Sequence, residues 1–300
     1  MKKLALCVLL ATASSVVMAE NYIEVDFSFI DREFLGEDTD ASIFNGKYYF
    51  NAIDNTKGPL AEAGFLTQSS EVSLNYGTAS REDSENDRTW GVAGRYVSDD
   101  GVIVGVNYIN AGYNDIYTGY NAGYNTQTIL DSGYLEVGKY LTDYSSLTLS
   151  YSTNQNDDEG DQYRSNTIAV RYNHLFLMEG DTSIKLTAKY GYTSFDDYVD
   201  DYVEDFDDYV EEYDGGHTNI FDVNGDYYFN RQLSVGLGLS TYETRYADTV
   251  IKYKLSTNYY INDNISVYAS YAFSDFDFDE EYAGDPDDVS TIIAGFNVRF

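Results

Sequence analysis

Alternation between apolar and polar side chains recurs along almost the whole sequence and constrains the fold more than any other feature. It is clearest in residues 290–300, where apolar side chains occupy every second position from Ile292 to Phe300. Because successive side chains of a β-strand point to opposite faces, this pattern predicts a strand with one apolar face. That face ends on the ring of Phe300, as expected for a strand that contacts lipid and ends at the membrane interface.

The same period of two predicts about fourteen strands, with twelve or sixteen as alternatives. The expected ranges are 22–30, 41–53, 60–77, 88–97, 102–111, 126–141, 145–155, 163–175, 183–194, 217–229, 233–244, 249–261, 265–276 and 288–300. Strands of roughly ten or more residues suit a tilted crossing of the bilayer. An even number of strands places both chain ends at the periplasmic rim.

The connections between these strands alternate in length. Short turns are expected at 97–101, 142–144, 177–181, 230–232 and 262–264, and long loops at 31–40, 80–87, 112–126, 156–162, 195–216 and 277–287. Short turns at one rim and long loops at the other are typical of outer-membrane barrels. The sequence therefore predicts an all-β fold, a transmembrane antiparallel up-and-down β-barrel with periplasmic termini and long acidic extracellular loops. A soluble, secreted β-sandwich is the alternative, since the outer faces of its strands would also be polar.

The first nineteen residues have the features of a secretory signal peptide. Lys2 and Lys3 precede an apolar run from Leu4 to Val17, and Ala19 provides a small residue before Glu20. This arrangement is typical of a leader that is removed on export. We therefore expect residues 1–19 to be cleaved and residues 20–300 to form one β-barrel domain in the outer membrane of a Gram-negative bacterium.

The composition favours a folded, strand-rich chain with an acidic surface. Tyr and Phe together number 48 and Pro only 2, which favours strands over disorder. The net charge is −33, and it becomes −35 if Lys2 and Lys3 are removed. Such a chain is not expected to bind nucleic acid by neutralising phosphates, and it should attract cations, above all divalent ions.

Charged residues of both signs fall on the polar faces of the predicted strands, which would line the lumen. The candidates for the pore lining are Glu24, Asp26, Lys47, Glu71, Arg95, Glu136, Arg171, Lys185, Lys189, Asp222, Asp226, Lys252, Lys254 and Arg299. Closure of the first strand on the last would bring Arg299 near Glu24 and Asp26. Opposed charges across a wet lumen would screen solutes by charge. The alternative is that these are only hydrated or cross-strand paired charges.

Residues 195–214 form an unusually acidic segment with eleven carboxylates. A spacing near four would place Tyr198, Tyr202, Phe206, Tyr209 and Tyr213 on one helical stripe. Carboxylate oxygens suit Ca²⁺ or Mg²⁺, so the segment could bind divalent cations and bridge to lipopolysaccharide phosphates. The simpler interpretation is a solvated acidic loop whose charges repel one another.

No arrangement in the sequence favours an enzyme. The chain has only two histidines, His174 and His217, and only Asp214 with His217 resembles a base and its orienting partner. A hydrolase would also need a nucleophile or an activated water in reach of that base. We therefore expect no catalytic residues, no metal centre and no cofactor.

Three segments resemble Gram-negative outer-membrane porins of the family described as "Putative general bacterial porin". They are Tyr48–Asn51, the segment 58–66 (GPLAEAGFL) and the closing Gly295–Phe300. The resemblance implies passive diffusion through a water-filled pore. It also implies insertion by the barrel-assembly machinery, which would read Phe296, Val298 and Phe300 as the assembly signal. By the same resemblance, the third long loop, 112–126, would fold inward and narrow the pore.

Two functions remain open from the sequence. The first is a channel for ions and small hydrophilic solutes that prefers cations because of its acidic mouth. The second is a non-conducting structural or adhesive barrel whose acidic loops bind divalent cations or a partner. Trimeric general porins usually have sixteen strands, and this chain is shorter, so both a monomer and a homotrimer in the outer-membrane lipid are possible.

Overall fold

A computed structural model of the protein describes residues 21–34, 37–81, 87–119, 122–158, 161–196, 198–199, 212–213, 216–244, 249–275 and 289–300. The predicted signal peptide, residues 1–19, lies outside these ranges, so its cleavage stays a prediction. Among the described residues, no helix has both the length and the apolar character needed to cross a membrane.

Fourteen strands of the described chain close into one barrel, which confirms the predicted fold class. In chain order they are β1 (Asn21–Phe34), β2 (Glu37–Ile53), β3 (Glu71–Arg81), β4 (Asp87–Val97), β5 (Val102–Gly119), β6 (Ala122–Thr142), β7 (Ser145–Asp158), β8 (Asp161–Leu177), β9 (Ser183–Phe195), β10 (His217–Tyr228), β11 (Leu233–Thr244), β12 (Val250–Asn262), β13 (Ile265–Asp275) and β14 (Val289–Arg299). Each strand pairs antiparallel with its sequence neighbours, and β1 also pairs with β14.

The closing seam of the barrel includes the last residue of the chain. The register of β1 on β14 runs without a break from Glu24 opposite Arg299 to Glu33 opposite Ser290. The amides of Tyr22 and Ile23 donate to the Phe300 carbonyl at 2.7 and 3.0 Å, and the Phe300 amide donates to the Ile23 carbonyl at 2.8 Å. The backbone of Phe300 therefore extends the seam beyond β14.

The two faces of the wall differ in exposure, as expected for side chains that alternate across a strand. On β5, Val102, Val104 and Val106 are 42, 40 and 55 % exposed, whereas Ile103 between them is fully buried. Trp90 is likewise exposed on the outer face, with its ring 5.5 Å from that of Tyr108. Exposed apolar side chains in this number would be unfavourable in water, and lipid is the environment that accommodates them.

The predicted strand over 60–77 is wrong at its start, because β3 begins only at Glu71. Leu60–Glu62 form a 3₁₀ turn and Ala63–Thr67 form a short helix, α1. The helix ends at Gln68, whose φ of 54° is left-handed and cannot continue it.

Burial in this segment follows a helical period rather than a period of two. Leu60, Ala63 and Leu66 are 1, 2 and 4 % exposed, and they recur at every third position. The missing alternation in this stretch was the sequence signal against a strand. We call residues 54–70, which connect β2 to β3, the plug.

The plug is a long connection at the rim where the sequence predicts only short turns. The other described connections at this rim are turns of two to five residues, as predicted. The plug differs because its apolar side chains need burial, and its described contacts show that it folds into the barrel.

Two predicted loops also differ from expectation. The described residues of 112–126 continue the β5–β6 ladder as far as Gly119 opposite Ala122, so they form a hairpin rather than an inward-folded loop. In the acidic segment, Tyr198–Val199 pair with Glu212–Tyr213 as a two-residue ladder, which contradicts a helix at these ends. Residues 200–211 lie outside the described residues.

Candidate functional site: the lumen and its plug

The strand alternation places the fourteen predicted lumen residues on the inner face of the wall. Those that border the cavity described below are Glu24, Lys47, Glu71, Arg95, Glu136, Arg171, Lys185 and Arg299. The other six do not border this cavity, but the strand register places them on the same inner face: Asp26, Lys189, Asp222, Asp226, Lys252 and Lys254. Their role in conduction stays a prediction.

Several of these charges pair along the wall, either across neighbouring strands or, for Arg95 and Glu136, across the intervening strand β5. Lys47 lies 3.6 Å from Glu71. Arg95 lies 3.7 Å from Glu136, and Lys189 lies 3.8 Å from Asp222. These are loose, partly solvated pairs, so each contributes little to stability, at most about 1 kcal/mol.

The seam carries a tighter pair. The Arg299 guanidinium donates to the Glu24 carboxylate at 2.7 Å, and the Arg299 side chain is only 6 % exposed. Asp26, two residues along β1, accepts a hydrogen bond from the Tyr268 hydroxyl at 2.9 Å. Charge-assisted bonds of this length are roughly twice as strong as neutral ones.

The strongest ion pair of the plug joins it to the opposite wall. Glu62, in the 3₁₀ turn, lies 2.7 Å from the Lys185 ammonium on β9, and the Glu62 side chain is only 7 % exposed. The Tyr228 hydroxyl on β10 also donates to the Glu62 carboxylate, at 2.5 Å. Since β9 is seven strands from β2 in either direction around the barrel, the plug reaches across its full width.

The backbone of the plug is held at two further points. The Leu60 amide donates to the Arg231 carbonyl at 2.9 Å, and the Arg299 guanidinium donates to the Leu60 carbonyl at 2.7 Å. The Arg231 guanidinium, in the β10–β11 turn, donates to the carbonyls of Asn55 and Gly58. The plug is therefore bound both to the seam and to the opposite side of the same rim.

Apolar and aromatic contacts complete the docking of the plug. Leu66 packs on Leu175 and Tyr228. The Phe65 ring lies 5.3 Å from that of Tyr140, whose hydroxyl donates to the Phe65 carbonyl at 3.2 Å. The Lys185 ammonium lies 5.7 Å from the centre of the Phe65 ring. With its ends on β2 and β3 and contacts on β6, β8, β9, β10 and β14, the plug obstructs the periplasmic end of the lumen.

Above the plug lies a cavity of about 800 Å³. Its floor includes Ala61, Glu62 and Phe65 of the plug. Its wall includes both acidic and basic side chains together with hydroxyl and amide groups from β7 and β8. Such a cavity can hold water and hydrated solutes, and its charges can orient them.

Sequence reasoning missed the residues that dock the plug. Glu62, Tyr140, Tyr228 and Arg231 were not among the predicted lumen residues. Glu62 lies within the segment 58–66 that carried the family resemblance, but it was interpreted as part of a strand. Tyr140 and Tyr228 point inward by the same alternation as their neighbours, whereas Arg231 lies in the β10–β11 turn. Only the position of the plug shows that these three residues hold it.

The two histidines lie in aromatic surroundings. The His174 ring is 4.0 Å from that of Phe176, and its Nδ1 is 3.0 Å from the Tyr172 hydroxyl. The His217 ring stacks on Tyr192 at 5.7 Å, while Asp214 lies outside the described residues. Within the part of the chain that the structure describes, no group of three His, Cys, Asp or Glu residues could hold a metal ion.

The barrel is similar to solved outer-membrane proteins. The outer membrane protein Omp33 of Acinetobacter baumannii has a TM-score of 0.61 and 21 % sequence identity, over 94 % of this chain and 99 % of that one. A bacterial polysaccharide outer membrane secretin has a TM-score of 0.52 and 10 % identity, over 94 % and 99 % of the two chains. At these identities the likeness shows the fold alone. A search of curated protein sequences gives no significant match.

A family model identifies the chain more directly. The model described as "Putative general bacterial porin" matches residues 1–285 of the 300. The match agrees with the closed barrel and with its charged lumen. This outer-membrane β-barrel therefore belongs to the putative general bacterial porin family.

Proposed function

We propose that the protein is a porin whose lumen allows passive diffusion of ions and small hydrophilic solutes. The observation that carries this proposal is the inner wall, which presents charges of both signs around a cavity of about 800 Å³. Ionised side chains are unfavourable in a dry interior, so this lining favours a hydrated passage over a packed core. The function is transport without catalysis.

In this proposal the plug is a closed gate. It obstructs the lumen, yet it is held only by non-covalent contacts, and the one cysteine of the sequence, Cys7, lies within the predicted signal peptide. Solutes pass when the Glu62–Lys185 pair and its neighbouring hydrogen bonds open and the plug moves away from β9.

We also propose a preference for cations. In the set made up of the fourteen predicted lumen residues and Glu62 the charges nearly cancel, with eight basic and seven acidic groups. The whole chain has 51 acidic and 18 basic residues, so most of the acidic excess lies outside the lumen. A negative mouth would concentrate cations at the pore entrance.

Planar-bilayer recording tests both parts of the proposal. The comparison is between the wild type and a variant in which residues 56–67 are replaced by a short Gly-Ser turn. We expect rare openings in the wild type and a steady, larger conductance without the plug. In a KCl gradient, the zero-current potential should have the cation-selective sign. The anion-selective sign would contradict the mouth-charge argument.

A non-conducting structural or adhesive barrel is the second candidate, because the obstructed lumen also fits it. The same recordings separate the two. If the purified variant without the plug inserts into the bilayer but never gives ion steps, the channel proposal is wrong and the second candidate stands.

The sequence also predicts a route of export, an assembly partner, a divalent-cation site and an oligomeric state, and each of these stays a proposal. We propose export through the signal peptide and insertion by the barrel-assembly machinery acting on Phe296, Val298 and Phe300. We also propose divalent cations between the acidic segment 195–214 and lipopolysaccharide. Light scattering of the detergent-solubilised protein would distinguish a monomer from a homotrimer.

A further inference from the structure

Arg171 is an unsatisfied cation on the wall of the cavity. Its side chain makes no hydrogen bond or ion pair with any other described residue, and it borders the same cavity as Glu62 and Lys185. The guanidinium presents a planar fork of donors that matches a carboxylate. Arg171 is therefore available to a solute.

The neighbours of Arg171 on this wall are also cations, but each of them has a carboxylate partner. Its ladder partner on β9 is Lys189, and Lys185 lies four residues away on the same face of β9. Lys189 is matched by Asp222 at 3.8 Å, and Lys185 is matched by Glu62 of the plug at 2.7 Å. The two lysines each also face a carboxylate of β10 in the ladder, Asp226 opposite Lys185 and Asp222 opposite Lys189, whereas Arg171 has no carboxylate opposite it on β7 or β9.

Lys185 can be reached from the cavity while it holds the plug. Its side chain is 23 % exposed, and it borders the cavity, whereas its partner Glu62 is only 7 % exposed. An anion in the cavity therefore meets the ammonium before it meets the buried carboxylate.

We propose that a carboxylate group of a small solute binds first at Arg171 and then forms an ion pair with Lys185 in place of Glu62. Loss of the Glu62–Lys185 pair releases the plug. This inference rests on the proposed channel function. Loss of its cation leaves Glu62 buried with only the Tyr228 hydroxyl, a strongly unfavourable state. Binding of the carboxylate and docking of the plug therefore oppose each other, and each lowers the affinity for the other.

The class of solute follows from the charges at two places, the cavity wall around Arg171 and the proposed acidic mouth of the pore. The wall formed by β8 and β9 selects a carboxylate, while the proposed acidic mouth disfavours polyanions. Monocarboxylates and zwitterions such as amino acids meet both conditions.

Cysteine labelling tests the inference without measuring current. Ala63 in the plug is 2 % exposed, and residues 20–300 contain no cysteine, so Ala63→Cys provides a single buried thiol. Its rate of reaction with a charged maleimide reports release of the plug, because a buried thiol is inert. The probe is sodium acetate, exchanged for sodium chloride at constant ionic strength.

We expect acetate to speed labelling several-fold and Arg171→Gln to abolish this response. In Lys185→Gln, labelling should be fast in both salts. The matched control is Lys139→Gln, which removes a cation from the outer wall of β6 and should keep the acetate response. Heat modifiability on gels checks that each variant is folded.

Equal labelling in acetate and chloride, with faster labelling in Glu62→Gln, would overturn the carboxylate trigger while leaving the gated channel intact. If Glu62→Gln and Lys185→Gln also label slowly, the Glu62–Lys185 pair does not hold the plug and the inference is wrong. Conductance of the variant without the plug then decides whether the channel proposal survives.

Discussion

Arg299 on the last strand and Glu24 on the first are joined by a hydrogen bond of 2.7 Å across the barrel seam. The same guanidinium donates to the Leu60 carbonyl of the plug at 2.7 Å and lies 5.2 Å from the centre of the Tyr260 ring. Closure of the barrel therefore completes one of the binding points of the plug, because Arg299 reaches Glu24 only when β1 and β14 are paired.

Replacing Arg299 should weaken both the seam and the plug. Arg299→Met removes the cation that is hydrogen-bonded to Glu24, and removing one partner of a buried pair costs about 3–5 kcal/mol. We expect a lower midpoint of urea unfolding in detergent and a lower temperature of heat modification. The double variant Glu24→Gln with Arg299→Met should recover part of the loss, because it removes the uncompensated charge. A double variant as unstable as the sum of the two single variants would show that the pair is not coupled.

Glu62→Gln should open the channel more often. The change keeps the shape of the side chain but removes the charge that Lys185 binds, so the docked plug loses most of the stabilisation of a buried pair, about 3–5 kcal/mol. Single-channel recording should show at least about tenfold more frequent opening. Glu71→Gln removes the same charge from a pair within the wall, with Lys47, and should not raise the frequency. Equal effects of the two variants would argue against a specific role of the Glu62–Lys185 pair in holding the plug.

Tyr228→Phe should have a smaller effect in the same direction. It removes the 2.5 Å hydrogen bond to Glu62 but leaves the ion pair and the packing against Leu66. A hydrogen bond to a charged group contributes about 1.5–3 kcal/mol, so opening should be more frequent than in the wild type but less frequent than in Glu62→Gln. The reverse order would mean that the hydroxyl, rather than the ammonium, holds the plug.

The terminal residue should act through its backbone as well as its ring. Deleting Phe300 removes three backbone hydrogen bonds to Tyr22 and Ile23, whereas Phe300→Ala keeps them. If the assembly machinery reads the ring, both changes should lower the amount of protein in the outer membrane. The deletion alone should also lower the unfolding midpoint of the purified barrel. Normal outer-membrane levels of Phe300→Ala would remove the ring from the assembly signal.

The alternation of Val102, Val104 and Val106 with buried Ile103 shows how much of the barrel could be predicted from sequence. A period of two has only one structural solution when one face is apolar and the strands cross a membrane. The count of about fourteen strands and the inward direction of the charged residues follow from it, and the closure of β1 on β14 follows from the barrel that it predicts. The assignment of Arg299 to the same seam as Glu24 needed only the topology.

The plug could not be predicted in the same way. Its helix is only five residues long, too short to show periodicity with certainty, and the surrounding strands favoured a strand assignment. The pairing of Glu62 with Lys185 joins residues 123 positions apart in sequence, and no local pattern records such a contact.

The sequence by itself determined the wall of this protein, because alternation is a local property that each strand carries independently. The tertiary structure alone decided what occupies the lumen, because the plug is positioned by side chains from strands on opposite sides of the barrel. Lys185, Tyr228 and Arg299 converge on one short segment only after the sheet has closed.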